Sequence, residues 1–135
     1  MKRLKTFTVL IILSCSLFFV NCTPSQDFLP TNREVITNGK WQVEYFSAGA
    51  DLTADFNSIE LAFNNDGTIS NNKNNQSING RWNISNEEIL QIIINTQDEL
   101  LLKLNNDWKI ADQSSLTMSL EKREPHFTQM RIRKI

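Results

Sequence analysis

Residues 77–96 read SINGRWNISNEEILQIIINT, and this stretch decides the fold class. Apolar and polar side chains alternate on both sides of a short polar turn at residues 85–87. The apolar positions that share one side are Ile78, Trp82, Ile84, Leu90, Ile92 and Ile94. A period of two residues is the pattern of a β-strand with one buried face. The stretch therefore predicts two antiparallel strands joined by a tight turn.

The same alternation continues upstream and downstream of this pair. The further strands that it predicts are 41–45, 59–63, 68–70, 100–104, 108–110, 116–120 and 130–132. Asn65-Asp66-Gly67 marks a hairpin between two of them, because Gly67 can adopt a positive φ. The links are short and polar, and no segment of useful length has a helical period. Neighbouring strands are therefore expected to pair in an antiparallel meander.

The fold predicted from these strands is all-β. A flat meander would expose two edges of the sheet, and closing the sheet into a barrel removes both edges. We therefore expect an antiparallel up-and-down β-barrel of eight to nine strands, closed or nearly closed, over residues 38–135. A β-sandwich is the alternative fold.

Residues 1–21 have the profile of a secretory signal peptide. Three basic residues stand within the first five positions, and an apolar run follows from Thr6 to about Val20. This run is shorter than the roughly 20 residues that cross a bilayer as a helix. The sequence therefore predicts export, with residues 22–37 as a tether in front of the barrel.

The two cysteines, Cys15 and Cys22, both lie in this N-terminal segment, so the mature domain is expected to contain no disulfide. A cysteine after an apolar run resembles the lipobox of bacterial lipoproteins, in which a diacylglycerol is attached to the thiol. Cys15 fits the local pattern better, whereas cleavage at Cys22 leaves the polar segment 23–27 as a solvated tether. Cys22 is the predicted lipid-attachment residue. The anchor would hold the protein stably in the cell envelope, at the outer membrane. The periplasmic face and the outer face of that membrane both remain open as its location.

The far end of the tether contains a helix start signal. Thr31 and Glu34 have the spacing of a capping box, and the apolar residues Val35 and Ile36 follow. A short helix and a plain coil both remain open for so short a segment.

Tryptophan occurs in two nearly repeated stretches, residues 38–43 and 79–84, which read NGKWQV and NGRWNI. Trp108-Lys109-Ile110 is similar to their second half. A glycine stands two residues before the tryptophan in each repeat, where a tightly curved barrel needs close backbone approach. We expect the three rings to fill one end of the barrel, because buried aromatic rings are ordinary core; a stacking platform for sugars or bases is the alternative.

These motifs resemble those of lipocalin-like domains found in small exported proteins of Gram-negative bacteria. The resemblance covers residues 38–132 and rests on Gly39-Lys40-Trp41, which is similar to the lipocalin G-x-W motif, on Gly80-Arg81-Trp82, and on residues 51–56, 63–68 and 104–110. It implies an up-and-down barrel whose interior holds a small apolar ligand. The interior residues expected at such a ligand are Trp41, Tyr45, Phe63, Trp82, Trp108 and Met118. It also implies that Arg131 or Arg133 stacks over Trp41 through a cation–π contact.

Charge and residue types argue against several functions. The chain has 14 basic and 15 acidic residues, and without the three basic residues of the signal, 11 basic residues remain. This balance argues against a nucleic-acid partner. His126 is the single histidine and is expected at the surface. Asp51 and Asp55 are expected to cap a short turn rather than bind a cation. We expect no metal, no cofactor and no enzymatic activity.

Two functions of different classes remain open at this point. The first, implied by the resemblance, is a lipid-anchored carrier or sensor of a small apolar ligand. The second is a barrel filled by side chains that serves as a structural or protein-interaction module of the envelope. The asparagine-rich residues 70–76 are a contact loop in this second case and otherwise a solvated hairpin tip.

Overall fold

The computed structural model describes residues 29–73 and 76–135, and the predicted signal peptide and Cys22 lie outside the described residues. Within them, eight antiparallel strands follow one another in chain order and close into a barrel. The strands are β1 (Lys40–Ala48), β2 (Ile59–Phe63), β3 (Thr68–Lys73), β4 (Gln76–Ser85), β5 (Ile89–Ile94), β6 (Asn106–Gln113), β7 (Thr117–Lys122) and β8 (Thr128–Lys134). The predicted up-and-down barrel is confirmed.

The alternating pattern of the sequence places one face of every strand in the interior. In the β4–β5 pair, Trp82 lies opposite Ile92 and Ile84 opposite Leu90, as the opening stretch predicts. The barrel closes where β1 pairs with β8, so that neither strand has a free edge. One connected cluster of buried hydrophobic side chains fills the space inside. Burial of this apolar surface is the main force that favours the closed sheet.

Short helical segments cover the two ends of the barrel. They are α1 (Asn32–Thr37), a 3₁₀ turn (Thr53–Phe56) and α2 (Glu99–Leu102). Segment α1 packs at the end that holds the β4–β5 turn, where it contacts Glu87. Helix α2 lies in the β5–β6 connection, which an up-and-down chain places at the opposite end. None of the helices in the described ranges has the length and apolar character that a membrane span requires.

The short helix considered for the end of the tether is present as α1. Thr31 Oγ1 accepts a hydrogen bond from Glu34 N at 3.2 Å, and Glu34 Oε2 accepts one from Thr31 N at 2.8 Å. This reciprocal pair is a capping box, and it satisfies two backbone donors at the start of the helix. Val35 and Ile36 are buried in the core cluster. The part of residues 22–37 that forms α1 is therefore packed against the barrel.

The predicted strand at residues 100–104 is wrong, because α2 occupies this position. Four leucines at 100, 101, 102 and 104 satisfy either a period of two or a helical spacing. Asp98 decides between them, since its side chain accepts hydrogen bonds from Leu100 N and Leu101 N and so starts a helix. Leu101 and Leu104, three residues apart, are the buried pair, whereas Leu102 is 42% exposed.

The predicted inward position of Tyr45 is also wrong. The register between β1 and β8 shifts between Val43, which lies opposite Ile132, and Tyr45, which lies opposite Arg131. An extra residue in one strand of a pair reverses the alternation beyond it. Phe46 therefore takes the interior position, and Tyr45 lies half-buried on the outer face.

Two glycines have the roles expected from the sequence. Gly67 has φ +83° in the turn between β2 and β3, as the hairpin motif predicts. At Gly80 a Cβ atom would lie only 2.3 Å from the backbone oxygen of Ile93 and 2.8 Å from Ile94 Cα. Any side chain at position 80 would force β4 and β5 apart, so the close approach of these strands requires glycine.

Candidate functional site

The barrel interior brings together five of the six residues expected at a ligand, and their side chains are almost completely buried. These residues are Trp41, Phe63, Trp82, Trp108 and Met118. Aromatic rings meet in close pairs: Phe46 stacks on Phe56 with centroids 4.5 Å apart, and Phe46 meets Trp108 edge-on at 6.1 Å. A third pair, Phe63 and Trp82, is edge-on at 5.6 Å. Rings in such contacts fill the middle of the barrel, and a ligand role for the five residues stays a prediction.

All three indole N–H groups are bound to backbone carbonyls outside the strands. Trp41 Nε1 donates to Ile36 O in α1 at 2.8 Å. Trp108 Nε1 donates to Leu104 O, just after α2, at 2.9 Å. The carbonyls at a helix C-terminus lack partners within the helix, and a buried indole needs an acceptor. Each of these tryptophans therefore holds one end closure to the barrel wall.

The third indole holds a turn instead of a helix. Trp82 Nε1 donates to Asn64 O at 2.9 Å, at the start of the β2–β3 turn. The sequence pattern indicates the inward faces of the three tryptophans but not these bonds. The available signal was the position of each ring beside a helix end or a tight turn, where unpaired carbonyls are common. The expectation that the three rings fill one end of the barrel is wrong, because Trp41 and Trp82 lie at the α1 end and Trp108 lies at the α2 end.

The end of the barrel at α1 is held by polar contacts to β4 and to the β4–β5 turn. The Arg33 guanidinium lies 4.7 Å from the centroid of the Trp82 ring and donates to Asn83 Oδ1 at 3.0 Å. Asn32 donates from its backbone N to Glu87 Oε2 at 3.0 Å and from Nδ2 to Glu87 O at 2.6 Å. Glu87 has φ +56°, an uncommon conformation for this residue type.

The cation–π contact implied by the lipocalin resemblance is not formed at Trp41. Arg131 Nε lies 2.8 Å from Glu44 Oε2, and Arg133 Nε lies 3.5 Å from Glu44 Oε1. Trp41 is fully buried, and both arginines of β8 are paired with Glu44 instead. The expectation for Arg131 and Arg133 is therefore wrong, and the cation–π contact of the described residues is that of Arg33.

Asn71 differs from every other buried side chain in the described core, because it is polar. It lies on the inner face of β3, opposite Leu61 of β2 and Ile78 of β4, and is 1% exposed. Neither Nδ2 nor Oδ1 has a hydrogen-bond partner within residues 29–73 and 76–135. Buried polar groups are nearly always hydrogen-bonded, so this amide is an exception that needs an explanation.

Asn71 was not among the predicted interior residues, because the predicted strand ends at residue 70 and residues 70–76 were interpreted as a polar hairpin tip. The strand continues to Lys73, so the alternation that begins at Ile69 carries Asn71 inward. A single asparagine at an inward position of a strand was the signal that could have found it.

Lys73 follows Asn71 on the same face of β3 and connects this strand to α2. Its Nζ lies 2.5 Å from Asp98 Oδ2, with the two side chains 23% and 29% exposed. Asp98 also accepts hydrogen bonds from Leu100 N at 2.9 Å and Leu101 N at 3.2 Å. The hydrogen bond from Lys73, with those from the two backbone donors, holds the pKa of Asp98 below its ordinary value. The ionised carboxylate thus ties α2 to β3.

The outer surface carries a groove of about 290 Å³ over β1, β6, β7 and β8. It is lined by Tyr45, Ala111, Ser119, Gln129 and Arg131, among others. A second register shift, between Ile110 and Asp112, lies on the far side of the same groove. Bulges re-aim side chains, and here one of them turns the tyrosine outward into the groove.

The acidic residues of the described ranges form no cluster of three or more metal-ligating side chains with His or Cys. Asp51 Oδ1 accepts a hydrogen bond from Thr53 N at 2.9 Å just before the 3₁₀ turn, but the N-cap residue of this turn is Leu52 and Asp55 lies within the turn, so neither carboxylate is its cap. Hydrogen bonds from Thr53 lower the pKa of Asp51. His126 is exposed.

Comparison with known proteins identifies the fold. No protein-family model and no curated protein matches the chain. A DUF4847 family protein from Bacteroides vulgatus is similar with a TM-score of 0.59 at 17% identity, over 76% of this chain and 96% of that protein. A lipocalin-like protein from Bacteroides uniformis has a TM-score of 0.52 at 19% identity, over 73% and 98% of the two chains. An uncharacterized protein from Bacteroides eggerthii has a TM-score of 0.53 at 15% identity, over 72% and 98%. The chain therefore has a lipocalin-like barrel fold.

Proposed function

We propose that this protein is a non-catalytic carrier or sensor in the cell envelope, whose lipocalin-like barrel binds a small and mainly apolar molecule. The fold supports a ligand-binding or a structural role, because barrels of eight strands have an interior that side chains fill or that holds one small ligand. With the exception of Asn71, the buried side chains of the described residues are hydrophobic. Such an interior favours an apolar ligand.

The observation that carries this proposal is the way α2 closes its end of the barrel. This helix has only four residues, and a single ion pair with partly exposed partners connects it to β3. An ion pair of this kind contributes little stability, so α2 is held mainly by the buried Leu101 and Leu104 and by the bond from Trp108. A molecule that enters beneath α2 would take the place of Leu101 and Leu104 against the interior rings.

A fluorescent fatty acid tests the carrier role. We expect saturable binding to the purified protein, with displacement by non-fluorescent competitors. Lys73→Met removes the ion pair that holds α2 and should accelerate ligand entry. Lys40→Met removes the exposed Lys40–Glu60 pair on the outer wall and is the matched control. Absence of saturable binding would contradict the carrier role.

We further propose that a lipid on Cys22 holds the protein at the outer membrane. Nine residues separate Cys22 from Asn32, the first residue of α1, and nine residues span at most about 30 Å when extended. The anchor would therefore keep the α1 end of the barrel near the membrane and leave the α2 end accessible. Cys22→Ala should release the protein in soluble form, whereas Cys15→Ala should retain it. Membrane retention of a protein with an unmodified Cys22 thiol would contradict the anchor.

A second candidate function is a protein-interaction module, and the packed interior rings together with the outer groove at Tyr45 favour it. In that case crosslinking should capture one stoichiometric partner. Tyr45→Ala should then abolish capture without changing fatty-acid binding, because Tyr45 lies outside the barrel. A protein that stays monomeric after crosslinking would contradict this function.

A further inference from the structure

The buried amide of Asn71 lacks hydrogen bonds at both of its polar atoms. Leaving a buried donor and acceptor unpaired costs folding free energy, and a leucine of similar size would avoid this cost. The neighbouring interior positions on β3 and its partners, Ile69, Leu61 and Ile78, are apolar. The amide therefore does not belong to a polar network of the described residues.

Asn71 lies close to α2, the closing helix that the proposed ligand would displace. Asn71 and Lys73 are two residues apart on one face of β3, which corresponds to about 7 Å along a strand. Lys73 is bound to Asp98 at the start of α2. Asn71 thus lies one step deeper in the barrel than the contact that holds α2. A molecule that enters beneath this helix would meet the amide.

We propose that Asn71 is the polar anchor of the interior ligand, and that this ligand is an apolar molecule whose polar end both donates and accepts a hydrogen bond. A primary amide or a hydroxyl group has this chemistry. This inference rests on the carrier function proposed above and specifies the chemical class of the ligand.

The two orphaned atoms of Asn71 make other polar ends bind more weakly. A carboxylate can accept from Asn71 Nδ2 but leaves Oδ1 without a donor. A charged group would also lose its hydration in this interior, and the neighbouring Lys73 is already bound to Asp98. A hydrocarbon leaves both atoms of the amide unpaired. Only a neutral group with a donor and an acceptor satisfies both atoms.

Matched eight-carbon probes test the anchor: octanamide, octanoate and n-octane, each titrated into the folded barrel and followed by native mass spectrometry and thermal shift. We expect the wild-type protein to bind octanamide at least about tenfold more tightly than n-octane or octanoate, as two hydrogen bonds to a buried group imply. In Asn71→Leu this preference should disappear. In Asn72→Leu, which makes the same change at the next and exposed position, it should remain.

Asn71→Ser is a second variant that keeps a donor and an acceptor on a smaller side chain, and it should retain part of the preference for octanamide. Equal binding of octanamide and n-octane to the wild-type protein overturns the anchor and leaves the carrier function standing. Preference for octanoate overturns the chemical class. Failure of all three probes to bind overturns both proposals. Unchanged octanamide affinity in Asn71→Leu would mean that water alone satisfies the amide, which also overturns the anchor.

Discussion

The two ends of the barrel are closed by the same device but held by different contacts. At each end a short helix buries two aliphatic side chains, Val35 and Ile36 in α1 or Leu101 and Leu104 around α2, and a tryptophan donates to a carbonyl of the closing segment. Beyond this shared device, α1 has several hydrogen bonds and a cation–π contact with the wall, whereas α2 has the ion pair between Lys73 and Asp98 and the contacts of its following loop.

The loop after α2 is fixed to the barrel wall, but the interior beneath it contains an unpartnered amide. In the α2 connection, Asn105 Oδ1 accepts from Ile94 N at 2.6 Å and Nδ2 donates to Ile94 O at 2.9 Å, so the loop itself is fixed to β5. The interior polar group nearest in sequence to the α2 ion pair is Asn71, which has no partner among the described residues. Helix α1 is therefore joined to the barrel wall by more side-chain contacts than α2, and an entrance at the α2 end stays part of the proposed carrier function.

The largest effects are expected from the two tryptophans that hold the helices. Trp41→Phe and Trp108→Phe should each lower the free energy of unfolding by about 2 to 3 kcal/mol, because each shrinks a fully buried side chain and orphans a carbonyl. Urea unfolding measures the loss. Hydrogen exchange should locate it at α1 in the first variant and at α2 in the second. A loss below about 1 kcal/mol in either variant would show that its indole bond does not hold the closure.

Asn71→Leu should raise the free energy of unfolding, whereas the two tryptophan variants lower it. Removing an unpartnered amide from the interior is expected to raise the free energy of unfolding by about 1 to 3 kcal/mol in the absence of ligand. Asn72→Leu, at an exposed position, should stay within about 0.5 kcal/mol. Destabilisation of Asn71→Leu would mean that the amide is hydrogen-bonded in the folded protein, and the contrast between the two ends would weaken.

The contacts of α1 are tested by Arg33→Ala. We expect a loss of about 1 kcal/mol, since the variant removes the stacking over Trp82 and the hydrogen bond to Asn83. Arg81→Ala removes the same charge at an exposed position of β4. It should change the free energy of unfolding by no more than about 0.5 kcal/mol. Equal losses in the two variants would mean that net charge, not the position of Arg33, stabilises this end.

The barrel could be predicted from the sequence because its strands depend on a local property. Alternation at Ile78, Trp82 and Leu90 is set by the pleat of the backbone, and the need to remove sheet edges then implies closure. The capping box at Thr31 is equally local. Two features were predicted wrongly, because one depends on a single extra residue in a strand and the other on a segment that fits two periods. The bulge before Tyr45 has no marker in composition, and the leucines at residues 100–104 fit two periods.

The candidate site could be predicted only in part. The rings of Trp41 and Trp108 were correctly placed inside, because large aromatic side chains at alternating positions are core. Their hydrogen bonds depend on where helices end, which the strand pattern does not contain. Asn71 was missed since the polar residues after Ile69 concealed the last part of β3.

The smallest effect is expected from the ion pair of α2, and it depends on pH. The hydrogen bond from Lys73 holds the pKa of Asp98 below its ordinary value of 3.8. A carboxyl whose pKa is lowered by folding contributes stability above its ordinary pKa, and the contribution is lost as the pH falls through the lowered value. The pair should therefore stabilise the protein equally at neutral and mildly acidic pH and begin to lose its effect below about pH 4.

Lys73→Met isolates this contribution. At neutral pH and low salt the free energy of unfolding should fall by less than about 1 kcal/mol, because both partners are partly exposed, and added salt should shrink the difference. As the pH falls from about 4 through the lowered pKa of Asp98, the variant and the wild-type protein should converge, because protonation of Asp98 removes the wild-type pair as well. Lys40→Met removes the more exposed ion pair with Glu60. It should change neither the free energy of unfolding nor its dependence on salt and pH. If Lys73→Met behaves like this control at every pH, the buried leucines and the indole bond alone hold α2, and the contrast with the additional contacts of α1 becomes larger.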